Sequence, residues 1–141
     1  MKVGKIINAA ARPAGVVALS VAVLAGIEVP AHALDCTPRM ICLYDRSYYE
    51  GGSFVTPKDY ADYTPYEFTD GEPLNDNTAS LRNTDPNYRW RGFQHKNYGG
   101  WAFHVNRAGE CGEGCNKFDR WPSLPEPGPK NAISSHNWYK P

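Results

Sequence analysis

The chain has 141 residues, 15 Lys+Arg against 15 Asp+Glu, 13 Gly, 12 Pro and 18 aromatic side chains, counted as 9 Tyr, 5 Phe and 4 Trp. A formal net charge of zero gives no footing for a nucleic-acid partner or an anionic membrane surface, and the length suits one domain.

The N-terminus reads as an export signal. Lys2, Lys5 and Arg12 give a basic start, and an apolar run covers residues 15–27. Thirteen residues suit a signal-peptide core and fall short of the ~20 a membrane helix needs. Ala31-His32-Ala33 supplies the small-x-small cleavage pattern, and no twin-Arg pair is present. The expectation is a signal peptide over 1–33 and a secreted, extracellular domain over 34–141, without a membrane anchor. Removing three of the 15 basic residues and one of the 15 acidic ones leaves 12 against 14, a net charge near −2. The mature part holds only nine Leu, Ile and Val but all 18 aromatics. Scarce aliphatics signal disorder only when net charge is high, so the aromatics, each burying roughly 150–250 Å², are read as the core of a folded domain.

All four cysteines lie in this domain. Cys36 and Cys42 lie six apart, Cys111 and Cys115 four apart, with Pro38 and Gly112/Gly114 between them. Four cysteines allow three pairings; export permits disulfides, and closure between near neighbours favours Cys36–Cys42 with Cys111–Cys115. The rival, a zinc site, needs spacings unlike C-x5-C and C-x3-C.

No segment carries a 3.6-residue apolar period, and ten Pro with ten Gly punctuate the mature chain, which argues against long helices. Strand-like runs follow in order: Ile41–Leu43, Phe54–Val55, Tyr88–Trp90, and Trp101–Val105 with alternating bulk. Residues 59–73 read as loop with room for one helical turn. Pro122–Pro129, with four prolines, reads as an extended surface loop.

An internal repeat organises these runs. Tyr44-x4-Tyr49-x-Gly51 recurs as Phe93-x4-Tyr98-x-Gly100, and the Ala79-Ser80-Leu81 segment recurs as Ser134-Ser135-His136. The first offset is 49 and the second 55, so about six extra residues fall in the second copy; the Cys111–Cys115 loop accommodates them. The pattern implies a folded-over hairpin: two aromatics stacked across a tight turn, and a glycine at positive φ. A serine some thirty residues later then hydrogen-bonds the exposed backbone. Two such units predict an all-β sandwich of two Greek keys.

These residues resemble the βγ-crystallin motif. The opening Cys36-x5-Cys42-Leu-Tyr, the Tyr44/Tyr49/Gly51 hairpin and the later Cys111-Gly-Glu-Gly-Cys115 loop make the chain similar to secreted actinobacterial peptidase inhibitors. Those inhibitors are of the Streptomyces metalloproteinase inhibitor type, related to killer-toxin-like proteins. The resemblance implies a monomeric inhibitor of an extracellular proteinase, not an enzyme, with the second cysteine loop entering a thermolysin-like active site. It supports both near-neighbour disulfides. Cys111, Gly112, Glu113, Gly114 and Cys115 would form that loop, with Phe118 as the nearest apolar residue. The resemblance also raises calcium, through Asn/Asp-Asn/Asp-x-x-Ser/Thr-Ser runs whose oxygens suit a hard cation. The first run, Asn75-Asp76-Asn77-Thr78-Ala79-Ser80, has Ala79 in place of a hydroxyl. The second, Lys130-Asn131-Ala132-Ile133-Ser134-Ser135, begins with a cation. Weak calcium binding or none is expected, and no other cofactor.

Other chemistry is thin. His95, His104 and His136 have no metal-ligand spacing and no nucleophile motif beside them; His95 and His104 read as surface residues. Acid pairs such as Asp70/Glu72 are routine in a chain this rich in acids. Trp90 and Trp101 fit core alternation, whereas Trp121 and Trp138 keep open a carbohydrate- or cell-wall-binding module as the second reading.

Overall fold

A computed structural model describes residues 36–110 and 119–141. Among these described residues, seven strands form two antiparallel sheets: β1 (Ile41–Tyr44), β2 (Ser53–Thr56), β3 (Ser80–Asn83), β4 (Arg89–His95), β5 (Gly99–Val105), β6 (Arg120–Trp121) and β7 (Ser135–Tyr139). The first sheet runs β2-β1-β3-β6 and the second β5-β4-β7. The architecture is therefore the all-β sandwich of two Greek keys that the repeat implies.

The repeats interlock. β6 lies in the second repeat yet pairs with β3 of the first, Leu81 opposite Trp121. In exchange, Tyr60 of the first repeat bridges to His136 in β7. Each half thus donates backbone to the other half's sheet, so neither hairpin is left to stabilise itself.

All four residues of β1 are buried, although strand side chains alternate between faces. Ile41 and Leu43 point into the inter-sheet core. Cys42 and Tyr44, on the other face, are covered respectively by the disulfide to Cys36 and by the Tyr49 ring, stacked edge-on at 5.6 Å.

The core differs from the expected aromatic one. Its buried centre is Ile41, Leu43, Leu74, Leu81, Val105, Leu124 and Ile133 with Tyr63, Phe68 and Trp90. Phe54, Tyr60, Phe103, Trp121 and Trp138 pack around it only partly buried. The few aliphatics are concentrated at the inter-sheet plane with three rings among them, and five further rings form a partly buried collar.

Two loops also differ from expectation. Residues 59–73 contain no helical turn; isolated bridges pair Tyr60 with His136 and Glu67 with Pro73, and the segment sends Tyr63 and Phe68 into the core. The proline-rich stretch is not wholly superficial: Leu124 is buried, and its N–H donates to the Ala79 carbonyl at 2.9 Å. The apolar side chain between prolines serves as a plug that ties the loop to the sandwich.

Candidate functional site

Each hairpin folds over as a short 3-10 arc, Ser47–Tyr49 in the first copy and Lys96–Tyr98 in the second. The arc places Tyr44 against Tyr49 and Phe93 against Tyr98, both pairs edge-on with centroids 5.6 Å apart. Gly51 (φ +79°) and Gly100 (φ +76°) turn the chain where a side chain would be strained.

One serine closes each unit. Ser80 Oγ accepts the Tyr49 N–H at 3.0 Å and donates to the Arg46 carbonyl at 2.5 Å. Ser135 Oγ accepts the Tyr98 N–H at 3.1 Å and donates to the His95 carbonyl at 2.6 Å. Both hydroxyls satisfy an amide and a carbonyl that the arc cannot pair by itself.

Behind the second closure lies a group that the sequence reading left unassigned. His136 is fully buried. Its Nε2 sits 2.8 Å from the Lys58 carbonyl, which can only accept, so Nε2 carries the proton. Nδ1 is therefore free to accept from the Tyr63 hydroxyl, its hydrogen-bonded neighbour. The ring packs among Tyr60, Tyr63 and Trp90, with centroids 5.3–5.4 Å away. Burial pushes its pKa down from 6.5 to about 4, only partly opposed by the Lys58 carbonyl. His104 is exposed as expected but is held by the Tyr139 hydroxyl at 2.9 Å. Burial first, then Arg91 and Arg89, lower its pKa.

The two calcium-type runs are joined across the repeats. Ser134 Oγ lies 2.7 Å from Asp76 Oδ1 and 2.9 Å from the Gln94 carbonyl. Asp76 N–H donates to the Ile133 carbonyl at 3.1 Å, and Asn131 N–H to the Thr78 carbonyl at 2.9 Å. Asp76 and Asn131 both sit at φ +53°. Each oxygen cluster thus takes its Asp or Asn from one run and its hydroxyl position from the other, which places Ser134 with Asp76 and Ala79 with Asn131. Asn75 bonds its neighbour Asp76 at 2.9 Å, and Ser80 is already committed to its hairpin. Three convergent oxygens with one carboxylate are about half of the 6–8 that calcium takes. Among the described residues, no three His, Cys, Asp or Glu side chains group as a metal site.

The Cys36–Cys42 disulfide is present, with Cα atoms 5.9 Å apart. Cys111, Gly112, Glu113, Gly114, Cys115 and Phe118, and with them the second disulfide expected from the sequence, lie outside the described residues. The flanks of that segment are described. Glu110 pairs with Arg89, whose Nε donates at 2.9 Å, and accepts the Arg107 N–H at 3.3 Å; these partners hold its carboxyl below the ordinary range. Asp119, itself buried, accepts the Gly109 N–H at 3.3 Å on its carboxylate and the Asn83 N–H at 2.7 Å on its carbonyl.

The tryptophans divide as well. Trp90 is buried and Trp121 stacks on Phe103 at 5.1 Å. Trp138 borders a shallow cleft with Tyr88, Asp59 and Arg39. No described helix is long and apolar enough to cross a membrane.

Paired aromatic hairpins, a positive-φ glycine in each and a closing serine in each define a βγ-crystallin-type domain. A structure bearing on the evolution of the eye-lens βγ-crystallin domain fold matches with TM-score 0.57 at 18% identity, over 74% of this chain and 88% of that one. The N-terminal domain of protein S gives 0.53 at 16% over 72% and 96%, and a Flavobacterium johnsoniae βγ-crystallin domain 0.51 at 23% over 71% and 93%. A comparison with curated proteins finds no match. Residues 29–105 match the model of peptidase inhibitor family I36. The chain belongs to that family: it is a peptidase inhibitor, not an enzyme, and its partner is a proteinase.

Proposed function

We propose that the chain is exported, cut after Ala33, and acts as a monomer on an extracellular proteinase through the 111–118 segment. The observation that carries this is the clamping of both flanks, Glu110 by two arginines and Asp119 by two backbone amides. An inhibitor gains when its contact segment springs from fixed points, because less freedom is lost on docking. The family match supplies the proteinase.

Target class follows from the loop's chemistry. Thermolysin-like enzymes favour an apolar side chain just after the scissile bond, and Gly112-Glu113-Gly114 offers none. Inhibition of such enzymes is therefore weak, and a proteinase that accepts Gly or Glu is the better fit. Titration against a panel of extracellular metallo- and serine proteinases, with Glu113→Ala and Phe118→Ala beside the wild type, tests this. Inhibition by the wild type that one of these variants weakens is the expected result. No inhibition at micromolar protein overturns the reading; inhibition that neither variant changes overturns the choice of segment. Intact mass of the protein in culture supernatant tests the cut, which should leave Leu34 first.

A further inference from the structure

We infer that Tyr48 is a second proteinase anchor, its ring seated in a pocket on the enzyme that takes an aromatic side chain; this rests on the inhibitor reading above.

The two arcs differ at one position whose identity the fold does not explain. Tyr48 (φ +63°) in the first arc and Asn97 (φ +57°) in the second occupy the same left-handed conformation. Asparagine is at ease there, because its short polar side chain relieves the crowding; a bulky side chain is strained. A strained residue persists when packing rewards it, but the Tyr48 ring is 71% exposed, far more than any other large apolar side chain described. What the fold uses is its backbone: Tyr48 N–H donates to the Pro122 carbonyl at 2.5 Å, as Asn97 N–H does to the Ala61 carbonyl at 2.6 Å. Any non-proline residue would supply that. Strain without packing points to use by a partner.

The mounting suits a contact residue. Ser47 and Ser123 hydroxyls are hydrogen-bonded at 3.2 Å, and the neighbouring Tyr49 N–H is held by Ser80. The arc is fixed before binding, so little freedom is lost on docking, and tyrosine is among the side chains that carry most interface energy. Position also fits. Pro122 is three residues beyond Asp119, so at most about 11 Å of chain separates them. A patch of about 800 Å² per partner spans both the Tyr48 arc and the flank of the 111–118 segment. A left-handed residue cannot lie in a substrate cleft as an extended strand, so the ring engages a pocket beside the active site.

The experiment compares Tyr48→Asn, Tyr48→Phe and wild type on whichever proteinase the wild type inhibits, with thermal midpoints alongside. Tyr48→Asn should weaken inhibition at least tenfold while the midpoint holds or rises; Tyr48→Phe should stay within about threefold. Equal inhibition by Tyr48→Asn overturns the anchor and leaves the inhibitor reading standing. A midpoint lowered by more than about 5 °C in Tyr48→Asn makes the ring structural and also overturns it. A wild type that inhibits nothing overturns the inhibitor reading, and the anchor falls with it.

Discussion

The two repeats share one backbone device and spend their side chains differently. Tyr44/Tyr49/Gly51/Ser80 and Phe93/Tyr98/Gly100/Ser135 give the same ring stacking, the same glycine φ and the same serine closure. Around this frame the pairs diverge. The Leu43–Leu81 neighbours of the first sheet are replaced by Gly92–His136 in the second, Ala79 faces a role that Ser134 fills, and Tyr48 stands where Asn97 does. What is common is what the hairpin needs; what differs is free to serve chemistry or recognition.

Breaking the frame should show the largest effect, and unequally. A Cβ on Gly51 would come 2.0 Å from Asp45 Oδ1, whereas on Gly100 the nearest atom is Gln94 Cβ at 2.8 Å. Asp45 sits under the arc with its pKa raised, by burial first and then by Asp70. At Gly100 the Gln94 Oε1, 2.9 Å away, can swing aside but the Gln94 Cβ is fixed to the backbone, so the milder effect there rests on the smaller overlap. Gly51→Val should cost more than about 3 kcal/mol and Gly100→Val about 2 kcal/mol, from positive-φ strain plus collision. Denaturant midpoints check this; losses below 1 kcal/mol at either site would refute the hairpin account there.

The His136/Leu81 difference should appear as acid sensitivity confined to the second sheet. The folded pKa of about 4 lies below the ordinary 6.5, so between those values the unfolded chain binds the extra proton. Stability is complete above about pH 6.5 and falls as pH drops toward 4, by roughly 3 kcal/mol at 1.36 kcal/mol per unit. His136→Leu, which copies the first sheet, should flatten that slope while leaving the Tyr63 hydroxyl without its partner, at about 1–3 kcal/mol at neutral pH. Ring-proton NMR gives the titration directly, and a midpoint at or above the ordinary histidine value would sink the argument.

The frame was legible in the sequence because it is local: five- and two-residue spacings encode the ring stack and the turn, and one serine per copy marks the closure. What was hidden depends on exchange between repeats. His136 follows Ser135 in a strand no different in pattern from its twin, and its burial depends on residues 58–63, which cross over from the first repeat to join Trp90 around it. The aliphatic centre was missed for the same reason, since Leu74, Leu124 and Ile133 lie in irregular segments with no period to reveal an inward face. Nothing in the spacing of the first arc distinguishes Tyr48 from its neighbours, and Tyr49 (φ +64°) and Tyr98 (φ +62°) share its left-handed angle; what sets Tyr48 apart is that its side chain is exposed where theirs stack on Tyr44 and Phe93.

A smaller and nearly equal pair of losses should follow removal of the closing hydroxyls. Each bridges one amide and one carbonyl in the same way, so Ser80→Ala and Ser135→Ala should each cost about 1–2 kcal/mol. A twofold or greater difference in calorimetric stability would show that the copies do not share their closure.

Calcium should give the smallest effect, and on one side only. Read run by run, each copy carries a defect, Ala79 in the first and Lys130 in the second. The observed pairing regroups them: Ser134, Asp76 and the Gln94 carbonyl converge, while Ala79 and Lys130 both fall with Asn131. Lys130 is itself drawn to Glu126 at 3.4 Å. One cluster keeps its hydroxyl and its carboxylate; the other has lost the hydroxyl and gained a nearby cation. With a single carboxylate, the better cluster should bind no more tightly than about 10 μM, nearer the 10⁻⁴–10⁻³ M of extracellular modules. At 1 mM calcium and a millimolar Kd that is about 0.4 kcal/mol of stabilisation. Calorimetric titration of the wild type, Asp76→Asn and the double variant Ala79→Ser with Lys130→Asp separates the two clusters. Asp76→Asn should abolish what binding there is, and the double variant should add a second, independent site without altering the first. Unchanged binding in Asp76→Asn, no added site in the double variant, or tight binding in the wild type would show that the runs act within their own copies or that more oxygens converge than these three.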